Sequence, residues 1–380
     1  MTVDTKTKVL NYLEDFQKEC LYERFGENYE AEFINLETAK AKKFDIEKYF
    51  ASQPSMTETE KKDFREAYTL QIQSIKPPTK FQDIQSYLIL QTLFAKIEQT
   101  AKKITLEAMR KPVIGTAHSK EYNAFAEKVP GTNEYLIVFE GELFTLANLL
   151  VKLFALSLPD FKMTNKNVSF NFEKERIVNH IQTNPLLQRR FADLVYNAIY
   201  LGQPNKTEQY YLEESFGKLQ YELLNSLELF VVGHEYGHIY AGHLNDTNLI
   251  TRMVGKKNVE RIAPEWEMEY EADMIGLSLL LHSLDEANLP PFSYLGPELF
   301  FTFLDLDERA YNLFSEDEEK RSLGTESHPP TFERRRRIRQ TLKNSLPKSH
   351  LKSYGYLSDF LENIFEALWE NFKTNEQRSI

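Results

Sequence analysis

Two hydrophobic periods alternate along the chain, and the change from one to the other divides it. Residues 1–75 space their apolar side chains at helical intervals, predicting amphipathic helices with a polar interruption at 51–59. Pro77-Pro78 forbids a helix running on. A second helical stretch, 81–110, carries its stripe on Leu88, Leu90, Leu93, Phe94 and Ile97. From Pro112 the texture shifts to short runs rich in β-branched and aromatic residues, 113–115, 122–126 and 135–139. Pro130, Gly131, Thr132 and Asn133 supply a turn between the last two. These runs predict a small sheet. Helical periodicity returns over 144–158.

Beyond a polar stretch from Pro159, with short helical pieces such as 187–200, a long helix is predicted from about Thr207. Its stripe of Leu223, Leu227, Phe230 and Val231 leads by helical steps into His234 and His238. Gly242 and Asn245-Asp246 are stop signals. After a polar link at Lys256, Lys257 and Asn258, a second helix opens at Pro264-Glu265 and runs to about Leu284. Its early proline and acidic residues suit a helix N-terminus. Leu289-Pro290-Pro291 ends it, and helices over 298–314, 331–342 and 356–372 follow, the first two separated by an acidic loop at 315–327. The pattern predicts an α+β fold that is mainly α-helical. It comprises a helical N-terminal region (1–110), a domain over 111–348 and a C-terminal helix (349–380) packed on that domain.

Composition narrows the classes of function. With 380 residues the chain has length for two or three domains, and its 42% hydrophobic and 27% charged content is that of a folded protein. A net charge of −11 argues against a general affinity for nucleic acid or anionic membrane. Cys20 is the sole cysteine, which excludes an intramolecular disulfide and a cysteine-rich zinc site. The first twenty or so residues are too acidic and too polar for a signal peptide. The most apolar window, 135–158, is interrupted by Glu140, Glu142, Asn148 and Lys152, so no membrane span is expected. A cytoplasmic location is the expectation.

The candidate chemistry lies in the long helix. His234, Glu235 and His238 spell H-E-x-x-H, and residues four apart on a helix share a face, so both imidazoles can reach one metal ion. Glu235, about 100° round the helix from His234, can reach a water at that ion. Zn²⁺ with two imidazoles, one further ligand and an open position is a catalytic arrangement. A metzincin would place its third histidine at position 244, which is Leu244. His243 would point about 140° away from His238 on a continued helix, suggesting a structural role. A carboxylate from the second helix is the alternative. Glu269 and Asp273 share a face there, so Glu269 can bind metal while Asp273 accepts a hydrogen bond from a ligand imidazole. Gly276 would let the two helices approach closely. Glu271 faces away from Glu269, whereas Glu267 is not excluded.

HEYGHIYAGH followed by EYEADMIGL resembles the zinc metallopeptidase family of CAAX prenyl proteases, HtpX-like heat-shock proteases and related quality-control enzymes. The resemblance implies a zincin-like core, zinc held by His234, His238 and Glu269, Glu235 as general base, and Asp273 supporting a ligand. Two further matches extend it. Asn123, Ala124, Phe125 and Ala126 match a strand that family members carry ahead of the metal helix, and His328-Pro329-Pro330 followed by Arg334 matches their His-Pro segment. Either the strand over 122–126 or that over 135–139 could pair with an extended substrate backbone. By resemblance His328 stabilises the oxyanion or caps the zinc, and Arg334 supports the site. The similarity spans about residues 115–345, departing from it in the long stretch before His234, read as an insertion at 159–208. The basic run Arg334 to Arg337 with Arg339 is expected to form a solvated helix face.

The expected activity is zinc-dependent hydrolysis of peptide bonds in a protein or peptide substrate. The alternatives are a catalytically quiet zinc-fold module that binds peptides, and a highly selective protease in a stress or phage-defence response.

Overall fold

The computed structural model describes residues 3–43, 45–119, 123–163, 168–245, 249–254, 257–262, 266–284, 291–314 and 329–379. The described chain is mainly helical, with one small sheet and two strand pairs. In order it forms helices α1 (Val3–Phe25), α2 (Tyr29–Lys43), α3 (Ile46–Ala51), α4 (Glu58–Ser74) and α5 (Ile84–Lys103). Strands β1 (Val113–Ala117), β2 (Ala124–Lys128) and β3 (Tyr135–Glu140) follow, then α6 (Gly141–Leu156) and the short strands β4 (Lys162–Met163) and β5 (Val168–Ser169). Helices α7 (Lys174–Gln182) and α8 (Pro185–Asp193) continue into a π-helical turn at Leu194–Tyr200. After α9 (Gly217–Tyr240) come β6 (Leu249–Val254), β7 (Lys257–Ile262), α10 (Trp266–Ser283) and α11 (Gly296–Phe314). The last helices are α12 (Thr331–Ser345) and α13 (Lys348–Ser379).

Several of these bounds differ from the sequence expectation. The metal-motif helix begins at Gly217 rather than near Thr207, because a 3-10 turn at Glu214–Phe216 precedes it. Lys257 and Asn258 of the expected polar link lie in a strand, with β6 and β7 paired antiparallel from Leu249↔Ile262 to Val254↔Lys257, while Lys256 lies outside the described residues. The final helix extends well beyond 356–372 in both directions. The expected loop 315–327, the helix opening at Pro264-Glu265, the break at Leu289-Pro290 and the first residue of the strand expected over 122–126 lie outside the described residues.

The chain forms two compact units, Met1–Phe144 with Leu229–Ser283, and Thr145–Glu228 with Leu284–Ile380. The first is built on the three-stranded sheet, ordered β1-β3-β2, with β1 parallel and β2 antiparallel to β3. All six residues of β3, Tyr-Leu-Ile-Val-Phe-Glu, are buried, as a central strand covered on both faces should be. Helix α1 supplies Val9, Leu13, Phe16 and Cys20 to a core with Ala117, Leu136 and Val138. Helix α5, started by the Asp83 cap on Ser86 N, buries Leu90, Leu93, Phe94 and Ile97 and packs against β1 and α10.

In the second unit, α13 packs on α7, α8 and α11, and α11 packs on α12. A buried carboxylate, Glu298, is held there by the Arg339 fork at 2.8 and 2.9 Å and by the Tyr354 hydroxyl at 2.8 Å. Arg339 belongs to the run expected to be a solvated face. The structure turns Arg334, Arg335 and Arg339 of that run inward, because Glu298 and the Phe301 ring offer them an anion and a π-face.

Candidate metal centre

The centre is made by α9 and α10 of the first unit. From Ser226 to Ile239 every residue of α9 is buried, so the histidines sit on a helix enclosed all round. Three glycines set how near its partner comes. A Cβ on Gly276 would lie 2.8 Å from the His234 backbone nitrogen, and one on Gly233 would lie 3.1 Å from Gly276 Cα. One on Gly237 would meet the Ala272 backbone at 3.1 Å. With hydrogen in those places the two backbones touch, and side chains one turn away on each helix are brought face to face.

Those side chains are His234, His238 and Glu269. The two Nε2 atoms lie 3.2 Å apart. Glu269 Oε2 is 3.7 Å from His234 Nε2, and Oε1 is 3.4 Å from His238 Nε2. All three residues are buried. Two imidazole nitrogens and a carboxylate so placed are mutually repulsive if unprotonated, and a shared cation resolves the conflict. Separations of 3.2–3.7 Å are also those of atoms bound to one ion at about 2.0–2.2 Å. The donor set is therefore one that could hold a metal ion.

The neighbours bear on which nitrogen faces the shared point. Asp273 Oδ1 stands 3.0 Å from His234 Nδ1, deep in the core. Burial alone would push the His234 imidazole down, but contact with Asp273 and the charges of Glu269 and Glu235 hold it above its ordinary value. Glu235 itself is buried on α9 beside His234.

His243 is a correction to the sequence expectation. Its Nδ1 is 3.0 Å from His238 Nδ1, and its Nε2 is 3.0 Å from Glu271 Oε2. The predicted direction assumed a continued helix, but α9 stops at Tyr240. Gly242 then adopts φ +78° and folds a 3-10 turn, His243–Asn245, back under the last helical turn. The signal for this was the glycine itself. Burial pushes the His243 imidazole down, against the pull of Glu271. Glu271 does face away from Glu269, and so meets His243; Glu267 is exposed.

The remaining expected site residues are distributed as follows. Asn123 is exposed, and its carbonyl accepts the Glu140 amide at 3.0 Å. Ala124, Phe125 and Ala126 form the start of β2, an edge strand of the sheet. Phe125 packs its ring on Phe16 of α1 at 5.4 Å, so that side chain serves the core. The sheet reaches the centre through the turn after α9, which contacts β2 and whose Asn245 accepts the Tyr135 hydroxyl at 2.8 Å. Arg334 belongs to the second unit, where its guanidinium lies 5.5 Å from the Phe301 ring centroid. His328 lies outside the described residues.

Among the described residues one other ligand-type group comes together, Glu37, Asp83 and His118. Its carboxylates close the start of α5, Asp83 accepting from Ser86 N at 2.9 Å and Glu37 from Ile84 N at 3.3 Å. Satisfying a helix end accounts for the two carboxylates, and the buried His118 lies beside them with its Nε2 3.8 Å from Glu37 Oε1. Comparison with protein-family models, curated proteins and solved structures finds no match.

Proposed function

We propose that this chain is a zinc-dependent metalloendopeptidase with a zincin-like core, akin to the CAAX prenyl and HtpX-like proteases whose motifs its sequence resembles. The observation that carries the reading is the meeting of His234, His238 and Glu269 at one buried point, with Glu235 next to the first ligand. Zinc held by those three side chains would polarise a carbonyl and lower the pKa of a water brought to it.

The chain's own groups complete the chemistry. Glu235 takes the proton from the attacking water and returns it to the amine as the peptide bond breaks. Asp273 holds His234 in the tautomer that turns Nε2 toward the metal. The packed glycines hold α9 and α10 at the spacing that brings His234, His238 and Glu269 together. An extended substrate would add its backbone beside β2, which is tied to the turn following the metal helix. Such pairing reads main chain rather than side chains, and suits a protein or peptide substrate of varied sequence.

The test combines zinc analysis of the purified protein with cleavage of an unfolded protein substrate. Wild type is expected to hold about one zinc per chain and to cleave. Glu235→Gln should keep the zinc and lose activity by at least about 100-fold. Wild type that binds zinc, yet produces no new N-termini in a proteome-wide profile against Glu235→Gln, would falsify the protease assignment.

A further inference from the structure

We propose that His243 and Glu271 form a positioning arm that orients the metal ligand His238, independently of the Asp273 support for His234. This rests on the metal-centre reading and adds two residues to it. The contacts run in series, from His238 Nδ1 to His243 Nδ1 at 3.0 Å and from His243 Nε2 to Glu271 Oε2 at 3.0 Å.

Only one proton arrangement satisfies the whole series when Nε2 of His238 is given to a metal. His238 then carries its proton on Nδ1 and donates it. His243 must accept at Nδ1, so its own proton sits on Nε2 and is donated to the Glu271 carboxylate. Each ring is thereby fixed in one tautomer, and His238 is held against rotation about its own side-chain bonds. The His243 side chain is 7% exposed and the Glu271 side chain 62% exposed, so the arm passes from the interior to the surface. The counterpart for His234 ends in Asp273, 1% exposed. The two ligands are thus supported by different means, one by a buried carboxylate and the other through a neutral ring anchored to an exposed one.

The turn makes the arm available. Gly242 at φ +78° reverses the chain immediately after α9, and its amide closes on Ile239 O at 3.2 Å. Tyr135 fixes Asn245 on the far side of the same turn. His243 is held at both flanks and cannot swing clear of His238.

The experiment measures Zn²⁺ affinity by competition with a chromophoric chelator, and the visible absorption of the Co²⁺-loaded protein, for wild type and three variants. His243→Phe fills the space of the ring but accepts nothing, and is expected to weaken Zn²⁺ binding about 10- to 100-fold. His243→Asn places an amide oxygen near the lost Nδ1 and should recover most of that affinity. Glu271→Ala, at the exposed end, should cost only a few-fold. The Co²⁺ spectrum should shift in His243→Phe and return toward wild type in His243→Asn. Affinity of His243→Phe within about twofold of wild type, or equal loss in the Phe and Asn variants, overturns the arm while leaving the metal centre in place. Wild type that binds neither ion overturns the metal reading and the arm together. Should the Phe variant not fold, the ranking of Asn and Ala against wild type still decides the matter.

Discussion

His234 and His238 present the same nitrogen to one point, but reach it from unlike surroundings, and buried ionisable groups elsewhere show how strongly surroundings govern charge in this chain. Glu228, in the same helix, has its carboxyl pushed up to about 8 by burial alone. The folded protein therefore keeps that proton up to about pH 8, whereas the unfolded chain releases it near its ordinary value of 4.5. Between those values the unfolded state binds fewer protons, so stability falls as pH rises, by up to about 1.4 kcal/mol per pH unit. Urea unfolding of wild type at about pH 5 and pH 8 should show this loss. Glu228→Gln, neutral throughout, should show a flatter profile, and an equal decline in both proteins would contradict the assignment.

At the scale of elements, the centre depends on two helices packed through hydrogen atoms rather than side chains. Gly276→Ala would place a methyl 2.8 Å from a backbone nitrogen of α9, where no side chain can yield. The helices must part by some tenths of an ångström, which should cost about 1–3 kcal/mol and loosen the metal. Calorimetry and chelator competition check the two effects, and unchanged zinc affinity would show that the ligands tolerate the wider spacing. This packing was legible in advance because Gly276 lies one turn beyond Asp273, on the face that Glu269 and Asp273 define. The meeting of His234, His238 and Glu269 was legible for the same reason, since four-residue spacing fixes direction on any straight helix. His243 was not, because spacing loses its meaning once the helix ends. The strand pair β6–β7 was missed because its charged residues read as linker. The inward turn of Arg339 was hidden because its partner Glu298 lies 41 residues away. Pairings of that kind have no local trace.

For the whole molecule, the first unit draws residues from both ends of a long excursion, Met1–Phe144 and Leu229–Ser283. Residues Thr145–Glu228 of the second unit separate the sheet from His234, His238 and α10 in sequence, so periodicity alone could not delimit the unit. Among the described residues no helix is long and apolar enough to cross a membrane. A metal ion held at α9 and α10 would stabilise the folded state by mass action, by about 2.7 kcal/mol for zinc at 100 times its dissociation constant. Stripping zinc with a chelator should therefore lower the melting temperature, and restoring zinc should return it.

The lone thiol gives that coupling a clock. Cys20 is 1% exposed and packed with Phe16, Leu136 and Val138 between α1 and the sheet. A sulfhydryl reagent cannot reach it until this unit opens. Its labelling rate therefore counts openings of the body that holds His234, His238 and Glu269, without any engineered probe. Zinc should slow the labelling by the same factor by which it lowers the open population. A rate indifferent to zinc would mean that Cys20 is exposed by a local fraying of α1 that leaves the centre closed.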